Sequence, residues 1–575
     1  VLDRTVTAMG ARLLHTWITQ PLLDLQPLNA RLNAVEALTK DEAHRQTLRE
    51  PLKQVADIER LANRLIIGRA NPRDLLALRQ SLCVIPELHT LLERLPAFNT
   101  LLKHLDPCQE VCDLIQSAID DQAPTVLNHI GTIRSGFSEE LDSIIQASQH
   151  AREWIAQLEP KERERSGIGS LKVGFNKVFG YYIEITHAHA TKIPADYIRK
   201  QTLVNAERYI TPELKEYESL VLNAEEQILS VERRLFQEVC EQLNQYAQRI
   251  IQVSRTIAHI DAFLSLAEVA VREGYSRPIL TTDDRLLIRD GRHPVVEKLL
   301  EAGARYVSND TDFDTHSRIH IITGPNMSGK STYIRQVAII TLLAQIGSFV
   351  PADEAVIGVV DRIFARIGAQ DEIHAGQSTF MVEMVETARL LSGSTKRSLL
   401  ILDEVGRGTS TYDGLAIARA VIEYIHNNPR LNCRTLFATH YHELTELPNV
   451  LPRTHNYNVA VTEEHDEIVF LHKVVTGGAD RSYGVHVAQL AGMPKPVVER
   501  ARELLQHLEN QSGDFRPLSE KRPKPDKDKP QQLNMFQSST TNPALKALSE
   551  LKVDELSPIE ALTKLYELKR LADSV

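Results

Sequence analysis

The chain has little of several things that would mark a function class. Its five cysteines (Cys83, Cys108, Cys112, Cys240 and Cys433) are odd in number and contain no C-x-x-C pair. That argues against a disulfide framework and against the common zinc modules, and reduced thiols point to the cytoplasm. Cys108 and Cys112 are helically spaced with His104 nearby, so a metal site and a pair of small core residues are both readings of them. No run of about 18 apolar residues occurs, so no membrane span is expected, and no signal peptide is read. A net positive charge is missing too: the balance is -10. Any nucleic-acid contact must then come from a confined basic surface. Aromatics are only 5% of the residues, while Leu, Ala, Glu and Gln are abundant, a mixture that favours long helices. The chain begins at Val1, and Val1 to Thr7 reads like the inside of a domain, so a missing N-terminal portion is expected.

What is present fits a globular chain of several units: 42% hydrophobic and 25% charged residues over 575 positions, enough for three to five domains of about 150 residues. Apolar residues recur at helical spacing from Leu2 to about Gln157, as in Leu13, Leu14, Trp17 and Ile18. From about Ser166, glycines and β-branched or aromatic residues predict short strands. Pro212 opens a helical stretch to about Glu273 that is long enough to need a break. It is either part of a bundle or a rigid arm between distant sites. From Arg277 to about Leu471 strand-like runs alternate with helices, an α/β pattern. Gly492-Met493-Pro494 separates two helices, and Gln511 to Pro543 has the composition of a flexible linker. Ser557-Pro558-Ile559-Glu560 then reads as a capping box opening a terminal helix that could oligomerise.

The sharpest signal is Gly324-Pro325-Asn326-Met327-Ser328-Gly329-Lys330-Ser331-Thr332, a G-x4-G-K-[ST] phosphate loop between a strand and a helix. Its backbone N–H groups and the helix N-terminus would surround phosphates, with Lys330 on the β- and γ-phosphates and Ser331 on Mg²⁺. Ser398 to Leu402 is an apolar strand ending in Asp403-Glu404. Asp403 would hold the Mg²⁺ shell, and Glu404 would orient the attacking water or act as its general base. Such a pair could also simply be a strand leaving the core. His440, after the core strand Leu436 to Thr439, is either a sensor of the γ-phosphate or a surface residue.

These runs, with Val405 to Gly414, Ala438-Thr439-His440-Tyr441, Gly291-Arg292-His293-Pro294 and Ser378 to Met384, closely resemble the motif set of the MutS mismatch-repair family, and the resemblance extends over essentially the whole chain. It implies an ABC-type, DNA-dependent ATPase that converts ATP to ADP and phosphate with Mg²⁺. It also implies a dimer that encircles double-stranded DNA, changes shape with the nucleotide, and has MutL as a further partner. Ser378 would reach the γ-phosphate of the opposite subunit. Tyr306 takes the position of an aromatic, often Phe, that stacks on adenine. Ser482 to Ala488 resembles a helix-turn-helix that serves dimerisation and not groove reading.

The implied organisation is a helical core with long lever helices at 1–160 and 213–275, interrupted by a small β-rich DNA clamp at 161–212. The ATPase follows at 276–478, the dimerisation element at 479–510, the linker at 511–543 and oligomerisation helices at 544–575. In the clamp, Lys172, Lys177, Lys192, Arg199, Lys200 and Arg208 make the best local basic patch. They read as phosphate contacts or as a solvated face interleaved with Glu184, Asp196 and Glu207. In the linker, Gln532, Leu533, Met535 and Phe536 resemble the peptide that docks on a bacterial sliding clamp. The tail would support a dimer or tetramer, and the place of action would be the nucleoid. The family's Phe-x-Glu wedge domain, which reads mispairs, and its connector domain are not found. The alternative is a family branch that binds branched DNA or recombination intermediates. A transporter, a chromosome-maintenance ATPase and an architectural dimer fit less well.

Overall fold

In a computed structural model, residues 1–176, 180–301, 305–368, 379–464, 467–478 and 484–511 are described. The chain divides into two units, Val1–Val498 and Glu499–Val575. The linker peptide, the capping box at Ser557, Ser378 and Lys177 lie outside the described residues.

Helices follow one another from Ala8–Thr19 to Glu139–Ser166. Asp, Asn, Ser and Thr residues start several of them. Side chains of Thr7, Asp24, Asp41, Asp57, Asn71 and Ser138 each accept a hydrogen bond from a first-turn N–H, satisfying donors that a helix leaves open. The last of these helices runs on to Ser166, past Pro160, before Gly167 ends it in a left-handed conformation. The segment Pro72–Leu92 is apolar and long enough by composition alone to cross a membrane. It is broken into Pro72–Leu82 and Ile85–Leu92, whose Leu75, Leu78, Leu82, Ile85, Leu88 and Leu92 are buried in the protein core. Cys108 caps the helix Gln109–Ala118 and Cys112 lies one turn inside it; both are buried. Their burial is what the core reading of this pair expects; among the described residues no group of three His, Cys, Asp or Glu side chains is arranged for a metal.

The long helical stretch breaks at Gln245-Tyr246 into Pro212–Asn244 and Ala247–Glu273, about 50 and 40 Å long. Two buried carboxylates tie these helices to distant backbone. Glu232 accepts from the N–H groups of Gly131, Thr132 and Ile133. Asp261 accepts from the N–H groups of Val6 and Thr7 and from Thr7 Oγ1 at 2.6–3.0 Å. Burial pushes both carboxyls up, and those donors oppose the shift. Asp261→Ala would strand the three donors in the core, at an expected cost of about 3 kcal/mol. The first thermal unfolding transition should fall by roughly 6–12 °C; a shift below about 1 °C would show that water replaces the carboxylate.

Strands β1 (Lys172–Asn176), β2 (Gly180–Thr186), β3 (Ile198–Thr202) and β4 (Ala206–Ile210) form an antiparallel sheet in the order β1-β2-β4-β3. One face buries Ile183, Ile185 and Tyr209 against Leu158, Leu214 and Val221 of the flanking helices. Beside it, Trp154 stacks on Tyr217, with ring centroids 3.9 Å apart and planes 10° from parallel.

The α/β region holds two sheets. Strands β5 (Ile279–Thr281), β6 (Leu286–Gly291), β7 (Asn309–Phe313) and β9 (Glu354–Gly358) form the side sheet, order β5-β9-β6-β7. Strands β8 (Ile319–Thr323), β10 (Ile363–Arg366), β11 (Leu399–Asp403), β12 (Arg434–Ala438), β13 (Thr454–Glu464) and β14 (Glu467–Thr476) form the main sheet, order β10-β11-β12-β8-β13-β14. All its neighbours are parallel except β13 and β14. Its strands are apolar on both faces because both faces are covered. Leu399, Ile401 and Leu436 join the core that includes Ile334, Val337 and Ile340 of the helix Lys330–Ile346. Leu400, Leu402 and Phe437 pack with Val421, Ile422 and Ile425 of the helix Thr411–Asn427.

The helix Lys330–Ile346 meets the helical region at its C-terminus. Gly347 has φ 86°, and a Cβ there would lie 2.4 Å from Arg31 Cβ, so this approach needs glycine. Arg31 Nη1 donates to the Ile346 carbonyl at 2.9 Å, placing a cation where the helix dipole favours one. The same guanidinium lies 3.8 Å over the Trp17 ring, which packs on His259 and Phe263 of the second long helix. Burial pushes Arg31 down to about 10.

Candidate active site

Strands β11, β12 and β8 are adjacent and parallel, so their carboxyl ends share one edge of the sheet. Ligands bind at that edge in open α/β sheets. β8 runs into Gly324–Thr332, β11 ends at Asp403, and β12 runs into Thr439-His440. Register fixes the convergence: Asp403 lies opposite Ala438, and Ala438 opposite Ile322.

The loop is held open by unusual backbone. Gly324, Met327 and Gly329 have φ of 141°, 66° and 103°; the exposed Met327 is the one that pays for it with a side chain. Lys330 Nζ turns back onto its own loop, donating to the carbonyls of Gly324 at 2.7 Å and Pro325 at 2.9 Å. Burial pushes this ammonium down to about 8. Ser331 hydrogen-bonds Asp403, whose carboxyl is pushed up by burial against that bond. Among the described residues, Asp403 Oδ1 and Ser328 Oγ are buried without a hydrogen-bond partner. Open valences of this kind suit a phosphate and a hydrated Mg²⁺, which takes few protein ligands and fills its shell with phosphate oxygens and water.

Glu404 stands in the left-handed region at φ 54°. Its Oε1 is 2.6 Å from His440 Nε2, and its Oε2 pairs with Arg407. The hydrogen bond from His440 and the Arg407 pair hold the carboxyl down to about 2, although burial opposes them. His440 is therefore tied to the glutamate and is not a loose surface residue.

Tyr306 borders a cavity of about 260 Å³ next to the loop, together with Val296, Asn309, Met327, Thr332 and His472. Its hydroxyl donates to Gln336 Oε1 at 2.9 Å. His472 was not among the residues expected from sequence. Its Nδ1 lies 2.8 Å from the Ser328 carbonyl, its backbone is left-handed at φ 52°, and its own carbonyl accepts from Asn309 Nδ2 at 3.0 Å. Nothing near it in sequence marks it, because β14 delivers it from the far edge of the sheet.

The six basic residues of the small sheet do not share one environment. Lys172, Lys192, Arg199 and Lys200 are exposed. Arg199 pairs with Glu207 at 3.2 Å. Arg208 is half-buried, bonded to Glu184 at 3.0 Å and Gln201 at 3.1 Å, and lies 4.0 Å over the Tyr182 ring. Arg208 thus holds the sheet together where a free phosphate contact was expected. Helices Gly484–Leu490 and Lys495–Gln511 flank Gly492, as the sequence predicts; Ser482 and Tyr483 lie outside the described residues.

Comparison with known proteins bears on the whole chain. Residues 1–267 match the family profile of MutS domain III, residues 320–509 that of MutS domain V, and residues 538–571 that of the DNA mismatch repair protein MutS C-terminal region. The DNA mismatch repair protein MutS of Chloroflexus aurantiacus is 52% identical over 606 residues, covering 100% of this chain and 62% of the relative. The proteins of that name from Ruminiclostridium cellulolyticum and Methanosarcina acetivorans are 49% and 46% identical, each over 99% of this chain. The chain belongs to the MutS family. It spans 62–66% of the length of these relatives, matching 66% of the second and 65% of the third. As a MutS-family chain it carries Gly324–Thr332, Asp403-Glu404 and His440 inside the domain V match, with Tyr306 ahead of it.

Proposed function

We propose that this chain is an ATP-hydrolysing component of DNA mismatch repair, working as a dimer on double-stranded DNA. The observation that carries this is the meeting of Lys330, Ser331, Asp403, Glu404 and His440 on one edge of the main sheet, within a MutS-family chain.

In the proposed reaction Lys330 exchanges the carbonyls of Gly324 and Pro325 for the β- and γ-phosphate oxygens, which return it to full charge. Ser331 and Asp403 would hold Mg²⁺, whose charge offsets that of the phosphates. Tyr306 and His472 face the cavity that takes the base, where a phenol ring stacks as well as a phenyl ring. Glu404 receives a hydrogen bond from the attacking water. The contacts from His440 and Arg407 keep this carboxylate ionised and fixed in place, so its role is to orient the water. The water oxygen bonds to the γ-phosphorus, the bond from that phosphorus to the β–γ bridging oxygen breaks so that ADP leaves with the bridging oxygen, and both of the water's hydrogens leave on the phosphate.

Ser378 acts across the dimer, and the second proposed partner is MutL. Exposed Lys172, Lys192 and Lys200 supply sequence-independent phosphate contacts, and Gln532 to Phe536 dock on a sliding clamp. The proposal predicts phosphate release from ATP that stops when Mg²⁺ is chelated and changes rate when duplex DNA is added. DNA binding should weaken steeply with salt. A chain that binds no nucleotide with Mg²⁺ present would end this reading.

A further inference from the structure

Past Glu404 the chain doubles back, and the turn is gripped from two sides. Gly406 has φ 91°, and a Cβ there would lie 2.5 Å from the Gly414 carbonyl oxygen. Its N–H donates to Glu383 Oε1 at 2.5 Å, and its carbonyl accepts from the Tyr441 hydroxyl at 3.0 Å. Tyr441 follows His440 in the chain, so one grip comes from the segment that already holds Glu404. The other comes from a separate element: Glu383 is on the helix Thr379–Gly393 and is 3% exposed. Arg366, also buried, ends β10 and lies 3.6 Å from Glu383 and 3.1 Å from Glu386.

A buried ion pair of this kind is weak evidence for a stabilising role, since desolvation offsets much of the attraction. Among the described residues, Arg366 also makes no well-directed hydrogen bond through Nε or Nη1. The better-formed contact of Glu383 is with the Gly406 peptide, two residues beyond the hydrolytic glutamate. The left-handed backbone at Glu404 needs its surroundings to hold it, and a fixed peptide just after it does so.

We propose that Glu383, together with Tyr441, is a positioning residue for Glu404: it fixes the Gly406 peptide and thereby aims the Glu404 carboxylate at the water. This rests on the ATPase reading above. It also makes hydrolysis, and not nucleotide binding, depend on where the helix Thr379–Gly393 sits.

The test is steady-state ATP hydrolysis by the full chain with Mg²⁺, beside binding of a fluorescent ADP analogue. Glu383→Ala should lower kcat about 100-fold, the scale of a misplaced reacting group, with nucleotide affinity changed less than about threefold. Glu383→Gln keeps an acceptor for Gly406 and drops the charge, so it should restore kcat to within about threefold of the unmodified chain. Tyr441→Phe removes the opposite grip without emptying the buried site and should lower kcat about tenfold, again at constant affinity. Unchanged kcat in Glu383→Ala, parallel loss of binding and kcat in all three variants, or a Gln variant as slow as the Ala variant would each overturn the positioning role. If the unmodified chain binds the analogue but does not hydrolyse ATP, the ATPase reading itself falls, and the positioning role with it.

Discussion

Glu404→Gln is expected to slow ATP hydrolysis about 1,000-fold while leaving nucleotide affinity near that of the unmodified chain. The amide keeps the shape of the side chain and one acceptor. It loses the negative charge that the His440 and Arg407 contacts stabilise. Because the carboxyl is held near 2, it is ionised throughout the range in which the protein is studied. A turnover profile between about pH 5 and 8 should therefore contain no step from Glu404. Rapid-quench measurement of the first turnover separates this effect from product release. A normal first turnover in the Gln variant would remove Glu404 from the chemistry and leave it a structural partner of His440.

Lys330→Ala should reduce affinity for ADP and ATP by at least about 100-fold, the expected loss of charge-assisted hydrogen bonds to two phosphates. The sign of the accompanying pH effect follows from burial. Free of nucleotide, the ammonium is pushed down to about 8. Below that value it is charged and affinity is full. Above it the protein must take up a proton to bind, and affinity should fall by up to about tenfold for each pH unit. Calorimetry across pH 6.5 to 9.5 in buffers of different ionisation enthalpy reads both affinity and proton uptake. The alanine variant should show neither the decline nor the uptake from this group. A variant that binds as tightly as the parent would displace the phosphate site from this loop.

The parts of the site that were legible in the sequence are those whose chemistry is compressed into contiguous residues. Gly324–Thr332 and Asp403-Glu404 need fixed spacing next to a strand, and that spacing survives as text. His440 was legible as a position and ambiguous as a role, since only the 2.6 Å contact with Glu404 separates a tethered side chain from a surface one. His472 and Glu383 were not legible as site residues. Each reaches the edge from a distant element, and the register of β14 or the seating of a helix places it. The small sheet shows the reverse difficulty. Arg208 reads as free charge in a list of basic residues, but in an antiparallel pair it lies opposite Glu184, and cross-strand pairing consumes it. In the fold, Pro212 marked the start of its helix, while the break at Gln245-Tyr246 carries no proline or glycine to mark its place.

The chain has two tryptophans, and they stand at very different stations. Trp154 lies flat on Tyr217 beside the small sheet. Trp17 lies beneath the guanidinium that closes the C-terminal end of the helix Lys330–Ile346. Indole emission shifts in colour with the electric field across the ring, and a cation 3.8 Å from its centre dominates that field. With Trp154 exchanged for Phe, which preserves ring stacking, the remaining emitter becomes an optical strain gauge at the joint between the α/β region and the long helices. It requires no attached dye, and its signal would follow, in real time, whatever the arrival of phosphate at the loop does to the other end of that helix.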